Sequence, residues 1–310
     1  MTVSVGIFPP NELLMGNPAG QAAWLDEVDR AGVDHVCVGD HVSFIIGIGF
    51  DGLILATSLS VLHPTLPVHT GVYLLVLRNP VTVARQLSSL ATLAPGRLVL
   101  GVGIGGEDRH EVEICGVDPA TRGRRMDESL TILRGLLTGS PVDFDGEFFQ
   151  ISKATILPPP PKPIPIIVGG RSDAAIRRAG RLGDGWLSIW KTPEQYRSAM
   201  TLVEKSAADA GRSETPRHNA LQVWCGFGSS REEGRSMVAP AMQSFYQVPF
   251  ERFEKYTPYG TPEEVAEFLA PFADAGCSTF DFITQAPDTA TALNGVAEVK
   301  RLLNQSDHGR

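Results

Sequence analysis

Short apolar runs alternate with stretches of helical period along nearly the whole chain. The runs Val3–Phe8, His35–Gly39, Val68–Leu77, Arg97–Ile104, Ile166–Gly169, Gly185–Ile189, Asn219–Phe227 and Thr279–Thr284 read as strands buried on both faces, the signature of parallel pairing. Each is followed by a helix, or by a loop and then a helix. Eight such units in series predict an α/β protein, a single (β/α)8 TIM barrel spanning residues 1–310. A doubly wound open sheet is the alternative, and the count of eight argues against it. The glycine run 101–106 fits a dinucleotide fingerprint only superficially, because a polar loop follows it where a helix should open.

Helix signals punctuate the pattern. Asn17-Pro18 starts a helix to Ala31, Asp51 caps a buried helix, and Asn79-Pro80 starts one that runs to Ala94. Further helices are predicted over Thr121–Thr138, Ser172–Leu182, Thr192–Ala210, Ser230 to about Met242, and Asp288–Leu303. Thr261-Pro262-Glu263-Glu264 is a capping box with proline at the first helical position, opening a helix that ends at Gly276. Three insertions interrupt the alternation. Residues 107–120 form a polar loop, and 141–165 hold a hairpin around Asp145-Gly146 followed by proline-rich chain. Residues 243–260 are aromatic and irregular, a segment expected to fold back over something.

Charge narrows the partners. Lys plus Arg total 27 against 35 Asp plus Glu, a formal charge of −8, which offers no footprint for nucleic acid or an anionic membrane and leaves a small molecule as the expected partner. Cys37, Cys115, Cys225 and Cys277 stand far apart, with no spacing for zinc or a disulfide framework, which fits a reducing cytoplasm. No signal peptide is read at the N-terminus, and the apolar stretch Phe44–Leu62 is interrupted by Gly47, Gly49, Asp51 and Gly52, so no transmembrane span is expected.

Active sites of such barrels lie where strands end, and four places there carry chemistry. Asp40-His41 follows the second strand; an imidazole beside a carboxylate suits proton transfer, although a histidine hydrogen-bonded at a loop mouth is the structural alternative. Gly71-Val72 lies inside the third strand, where a glycine invites a bulge. Gly103-Ile104-Gly105-Gly106 and Gly169-Gly170-Arg171-Ser172 are candidate anion cradles. The second is stronger, since the amides of Gly170, Arg171 and Ser172 sit at a helix start and Arg171 adds charge, with a tight turn whose Ser172 caps the helix as the structural alternative. Glu107, Asp108, His110 and Glu111 read as a solvated polar loop, and no metal is expected.

His69-Thr70-Gly71-Val72, Arg78-Asn79-Pro80, Gly96-Arg97-Leu98-Val99-Leu100-Gly101-Val102-Gly103 and Asp184-Gly185-Trp186 together resemble the luciferase-like monooxygenase superfamily, and within it the branch that uses the deazaflavin coenzyme F420. Matching segments recur from Val3 to about Asp281. The resemblance implies a non-proline cis peptide at Gly71-Val72 backing a flavin-type ring, the Asp40-His41 pair beside that ring, and a phosphate at Gly169–Ser172. It implies hydride transfer between bound F420 and a small organic substrate. FMN with oxygen chemistry is the close alternative, and a non-catalytic flavin-binding relative is a third reading. Similar proteins often form homodimers. Some sugar-phosphate dehydrogenases of this branch carry glutamate where Gly106 stands and tryptophan near Ile45. Their absence, with the apolar loop Phe44–Phe50, points to a fairly apolar substrate, leaving Arg252 and Lys255 to grip any anionic group.

Overall fold

The computed structural model describes residues 2–47, 49–106 and 108–306. Eight strands, β1 (Ser4–Ile7), β2 (His35–Val38), β3 (Val68–Thr70), β4 (Leu98–Val102), β5 (Ile166–Gly169), β6 (Gly185–Ser188), β7 (Ala220–Phe227) and β8 (Thr279–Gln285), pair in parallel. Pairing of β6 with β7 closes the ring. The predicted barrel is thus present, with its helices outside. A two-residue strand, Tyr259–Gly260, adds to β7 beyond the ring. Among the described residues no helix is long and apolar enough to cross a membrane.

The caps read from the sequence do their expected work. Asn17, Asp51, Asn79, Ser172 and Thr261 each accept a backbone N–H of the first turn of the helix they open. The hairpin pairs Val142–Asp145 with Gln150–Ala154, and the prolines run on along the outside of the barrel, where Ser88 and Arg85 donate to the carbonyls of Pro158 and Leu157.

Three expectations need correction. The apolar run Val68–Leu77 is not one strand: β3 ends at Thr70, the Gly71-Val72 peptide is cis, Tyr73 makes a single bridge to Val102, and Leu75–Leu77 form a 3-10 turn. Its apolarity reflects burial of the turn, not extended backbone. The polar loop 107–120 contains a helix, Arg109–Ile114, because Asp108 accepts from the amides of His110 and Glu111. Finally, the helix from Arg231 continues through Pro240 to Tyr246, so the first part of the aromatic segment is helical. Ile48 and Glu107 lie outside the described residues.

Inside the barrel one side is apolar, with Ile167, Leu187 and Ala220 packed by Val72 and Val99. The other side is polar, a feature no periodicity announced. His35 Nε2 meets Asp281 Oδ1 at 2.7 Å, and the His69 ring stacks on His35 with centroids 3.6 Å apart. Gly6 is required beneath them, since a Cβ there would come within 2.1 Å of His35 Nε2. Burial works to raise the Asp281 carboxyl, but the hydrogen bond and charge of His35 outweigh it and hold it below the usual value. For His69, burial, reinforced by the neighbouring His35, pushes the imidazole down to about 3.

A pH dependence follows. The unfolded chain protonates His69 below about pH 6.5 while the folded protein does not until about 3, so its contribution is present above that window and lost as pH falls. The expected slope from this group is about 1.4 kcal/mol per pH unit. Urea unfolding of His69→Gln between about pH 6 and about pH 4 should be flatter than wild type by that amount; equal slopes would remove His69 from the acid response.

Candidate active site

The C-terminal ends of the strands surround a cavity of about 1480 Å³, lined among others by Phe8, His41, Val72, Gly103, Arg171 and Trp190. Pockets for one drug-sized ligand run about 300–1,000 Å³, so this mouth has room for a cofactor and a second small molecule.

Asp40, buried at the end of β2, accepts from Arg78 through both oxygens at 2.5 and 2.8 Å, from the Leu74 amide at 2.8 Å and from the Gly52 amide at 2.9 Å. Burial pushes its carboxyl up despite the pull of Arg78, and the Arg78 guanidinium, disfavoured by burial, is held charged by Asp40. One carboxylate thereby ties together the loop after β2, the start of the helix Gly52–Leu62 and the turn after the cis peptide. It is not the group that faces His41.

That group is Glu111. Its Oε2 stands 3.1 Å from His41 Nδ1, and its Oε1 accepts from the amides of Val42 and Ser43 at 2.7 and 3.0 Å. The imidazole also stacks on Phe44 with centroids 4.0 Å apart. Asp108 and Glu111 are both buried, so the acidic loop expected to be solvated instead turns two carboxylates inward, one to cap a helix and one to hold a histidine.

The glycines at the strand ends prove to be seats for Val72. A Cβ on Gly103 would lie 2.4 Å from Val72 Cγ2, and one on Gly169 would lie 2.7 Å from Cγ1. Such distances are not seen between real carbon atoms, so both positions must be glycine for the Val72 side chain to lie flat across β4 and β5. Gly71 itself has Gln222 and Phe8 close by, at 3.0 and 3.1 Å from an added Cβ. Ile104 and Gly106 line the cavity, Gly106 with open space around it, and Gly105 adopts a φ of +68° while its carbonyl accepts from Arg122 at 2.9 Å.

The second cradle differs in detail from expectation. Gly170, at φ +136°, turns its amide toward Leu187 O at 3.4 Å and its carbonyl toward Trp186 Nε1 at 2.9 Å. Its N–H is therefore directed at the barrel. Ser172 caps the helix Asp173–Leu182, and the Arg171 guanidinium lies 4.7 Å from the Trp190 ring centre. Two further arginines line this side of the cavity, Arg122 and Arg178, the latter buried and paired with Asp127 at 2.5 Å. Sequence reasoning missed both, because nothing in the helical period distinguishes Arg178 from its neighbours Arg177 and Arg181.

Across the mouth the aromatic segment closes in. Phe44 lies 5.4 Å from Phe245, Phe245 5.7 Å from Trp224, and Trp190 4.8 Å from both Tyr246 and Phe253. Arg252 and Lys255 do not line this cavity; Lys255 borders a separate surface hollow with Glu251 and Glu254. Among the described residues one group of potential metal ligands falls within 4.8 Å, His35, His69 and Asp281. The His35–Asp281 hydrogen bond and the stacking of His69 on His35 hold these three side chains together.

A family model of the luciferase-like monooxygenases matches residues 3–258. The chain belongs to that family. Among curated relatives, an uncharacterized protein of Mycobacterium tuberculosis (strain ATCC 25618 / H37Rv) is 39% identical over 160 residues, 52% of this chain and 55% of that one. An F420-dependent glucose-6-phosphate dehydrogenase of Nakamurella multipartita is 34% identical over 191 residues, 60% of this chain and 52% of that one. The chain thus spans about half the length of these relatives. The enzyme of the same name from Microbacterium testaceum matches at 28% over 87% of this chain and 86% of its own. Among solved structures, an F420-dependent secondary alcohol dehydrogenase in complex with an F420-acetone adduct superposes with a TM-score of 0.84 at 20% identity, covering 98% of this chain and 99% of that one. A type II Baeyer-Villiger monooxygenase from Pseudomonas putida in complex with FMN gives 0.77 at 16%, with 98% of each chain covered. At such identities both show that this luciferase-like chain shares their fold.

The Val72 seat is testable as a pair. Gly103→Ala should cost about 1–3 kcal/mol by overpacking, and adding Val72→Ala should recover most of that loss, giving a coupling of about 1 kcal/mol or more in urea midpoints. Additive losses would show that the two do not share space.

Proposed function

We propose that this luciferase-like protein is an F420-dependent oxidoreductase that transfers a hydride between bound deazaflavin and a small, fairly apolar organic substrate. The observation that carries the reading is the Val72 platform on Gly103 and Gly169, lining a cavity that His41 also lines. Names of relatives, and of one solved structure that shares the fold, support F420.

The residues fit such a group. Val72 would support the ring, and Ser172 with Arg171, Arg122 and Arg178 would surround the anionic tail, at a helix start where the dipole favours negative charge. When bound, deazaflavin supplies a ring carbon that accepts or gives hydride. The protein's own part is to orient the substrate, keep water out with the aromatic wall, and accept or return a proton at His41. Phe44, Phe245 and Trp224 on the substrate side match an apolar ligand better than a sugar phosphate, and neither Arg252 nor Lys255 reaches the cavity to bind a phosphate there.

FMN with oxygen activation is the second reading, favoured by the similarity to the FMN-bound monooxygenase fold. Because deazaflavin has carbon in place of the flavin N5, it disfavours oxygen chemistry, so cofactor identity decides the reaction class. A non-catalytic flavin binder is the third.

Titration with F420 and with FMN, followed by quenching of tryptophan fluorescence, should show tighter binding of F420, with Trp190→Phe removing much of the signal. With F420, apolar secondary alcohols or ketones should turn over and glucose 6-phosphate should not, and His41→Ala should lower kcat by about 10²–10⁴-fold. Preference for FMN, or turnover unaffected by His41→Ala, would contradict this reading.

A further inference from the structure

We propose that Glu111 fixes the tautomer of His41, so that Nδ1 carries the hydrogen and Nε2 is the atom that exchanges a proton with substrate. The identity of that proton rests on the functional reading above; the tautomer does not.

The geometry allows one arrangement. An ionised carboxylate only accepts, so the 3.1 Å contact between Glu111 Oε2 and His41 Nδ1 requires the hydrogen on Nδ1. Glu111 cannot turn away, because its other oxygen holds the amides of Val42 and Ser43. Its side chain is 4% exposed and that of His41 25%, so the Nδ1 side of the pair is shielded while the ring still reaches the cavity. Stacking on Phe44 fixes the ring plane. Asp40, the carboxylate adjacent in sequence, has its oxygens committed to Arg78, Leu74 and Gly52 and is no competitor. The short helix capped by Asp108 brings the Glu111 carboxylate to the histidine.

In the oxidative direction Nε2 would take the proton of a substrate hydroxyl, and F420, when bound, would supply the hydride acceptor that lets the carbonyl form. Both ring nitrogens then carry hydrogen, and Glu111 balances the positive charge. Glu111 is thus a positioning residue, acting through His41 as outer carboxylates act on metal-bound or catalytic imidazoles.

The NMR measurement uses the protein without added cofactor. Nitrogen-15 NMR of histidine-labelled protein, with the His41 signals assigned from His41→Asn, should show hydrogen on Nδ1 and a bare Nε2. Glu111→Gln keeps an oxygen for the Val42 and Ser43 amides but presents an NH₂ to the ring, so the signals should invert to the Nε2–H form. Turnover with F420 should then fall about 10–100-fold, with KM for F420 changed less than about twofold because no cofactor contact is removed. An Nε2–H form in wild type, which needs no variant to fold, overturns the proposal. An unchanged tautomer in Glu111→Gln overturns it too, as does an inverted tautomer with undiminished turnover. A wild type inert with F420 would instead refute the functional reading, while the NMR signals still decide what Glu111 does to His41.

Discussion

The carboxylate of Asp40 organises the mouth of this barrel. Buried charge is costly unless every lone pair finds a donor, and here two come from Arg78 and two from backbone amides on separate segments. Those segments are the start of the helix after β2 and the turn after the cis peptide of β3. Fixing them together sets where Val72 lies and where the loop bearing His41 begins. A polar group with a structural task therefore stands next in sequence to one with a chemical task.

Val72 shows how packing and function use the same residues. Its side chain covers Gly103 and Gly169, so the glycines at two strand ends are explained by steric necessity before any ligand is considered. The Val72 patch shares the mouth with arginines (Arg122, Arg171, Arg178) and with aromatic rings (Phe44, Trp190, Phe245). For a molecule with a flat ring and an anionic tail, those groups set the orientation.

Much of this was legible in the chain. Apart from Val68–Leu77, the apolar runs, the caps at Asn79, Ser172 and Thr261, and the positions of the glycine clusters follow from local rules that tertiary contacts did not override. The cis peptide at Gly71-Val72 came from resemblance, since a glycine within an apolar run announces a bulge but not its form. The partner of His41 was not legible. Glu111 is 70 positions away, on a helix too short to show a period, and its burial depends on loop amides that no sequence pattern reveals. The polar side of the barrel interior was hidden for a similar reason. His35, His69 and Asp281 each sit in an apolar strand, and only ring closure brings β2, β3 and β8 together.

The central claim, that the Val72 platform and the rim at Ser172 receive the proposed deazaflavin, is most directly tested by amide hydrogen exchange with and without F420. Protection should rise at residues 71–74, 103–106 and 170–174. Protection confined to the hollow near Lys255, or none at the Val72 segment despite saturated binding, would contradict it.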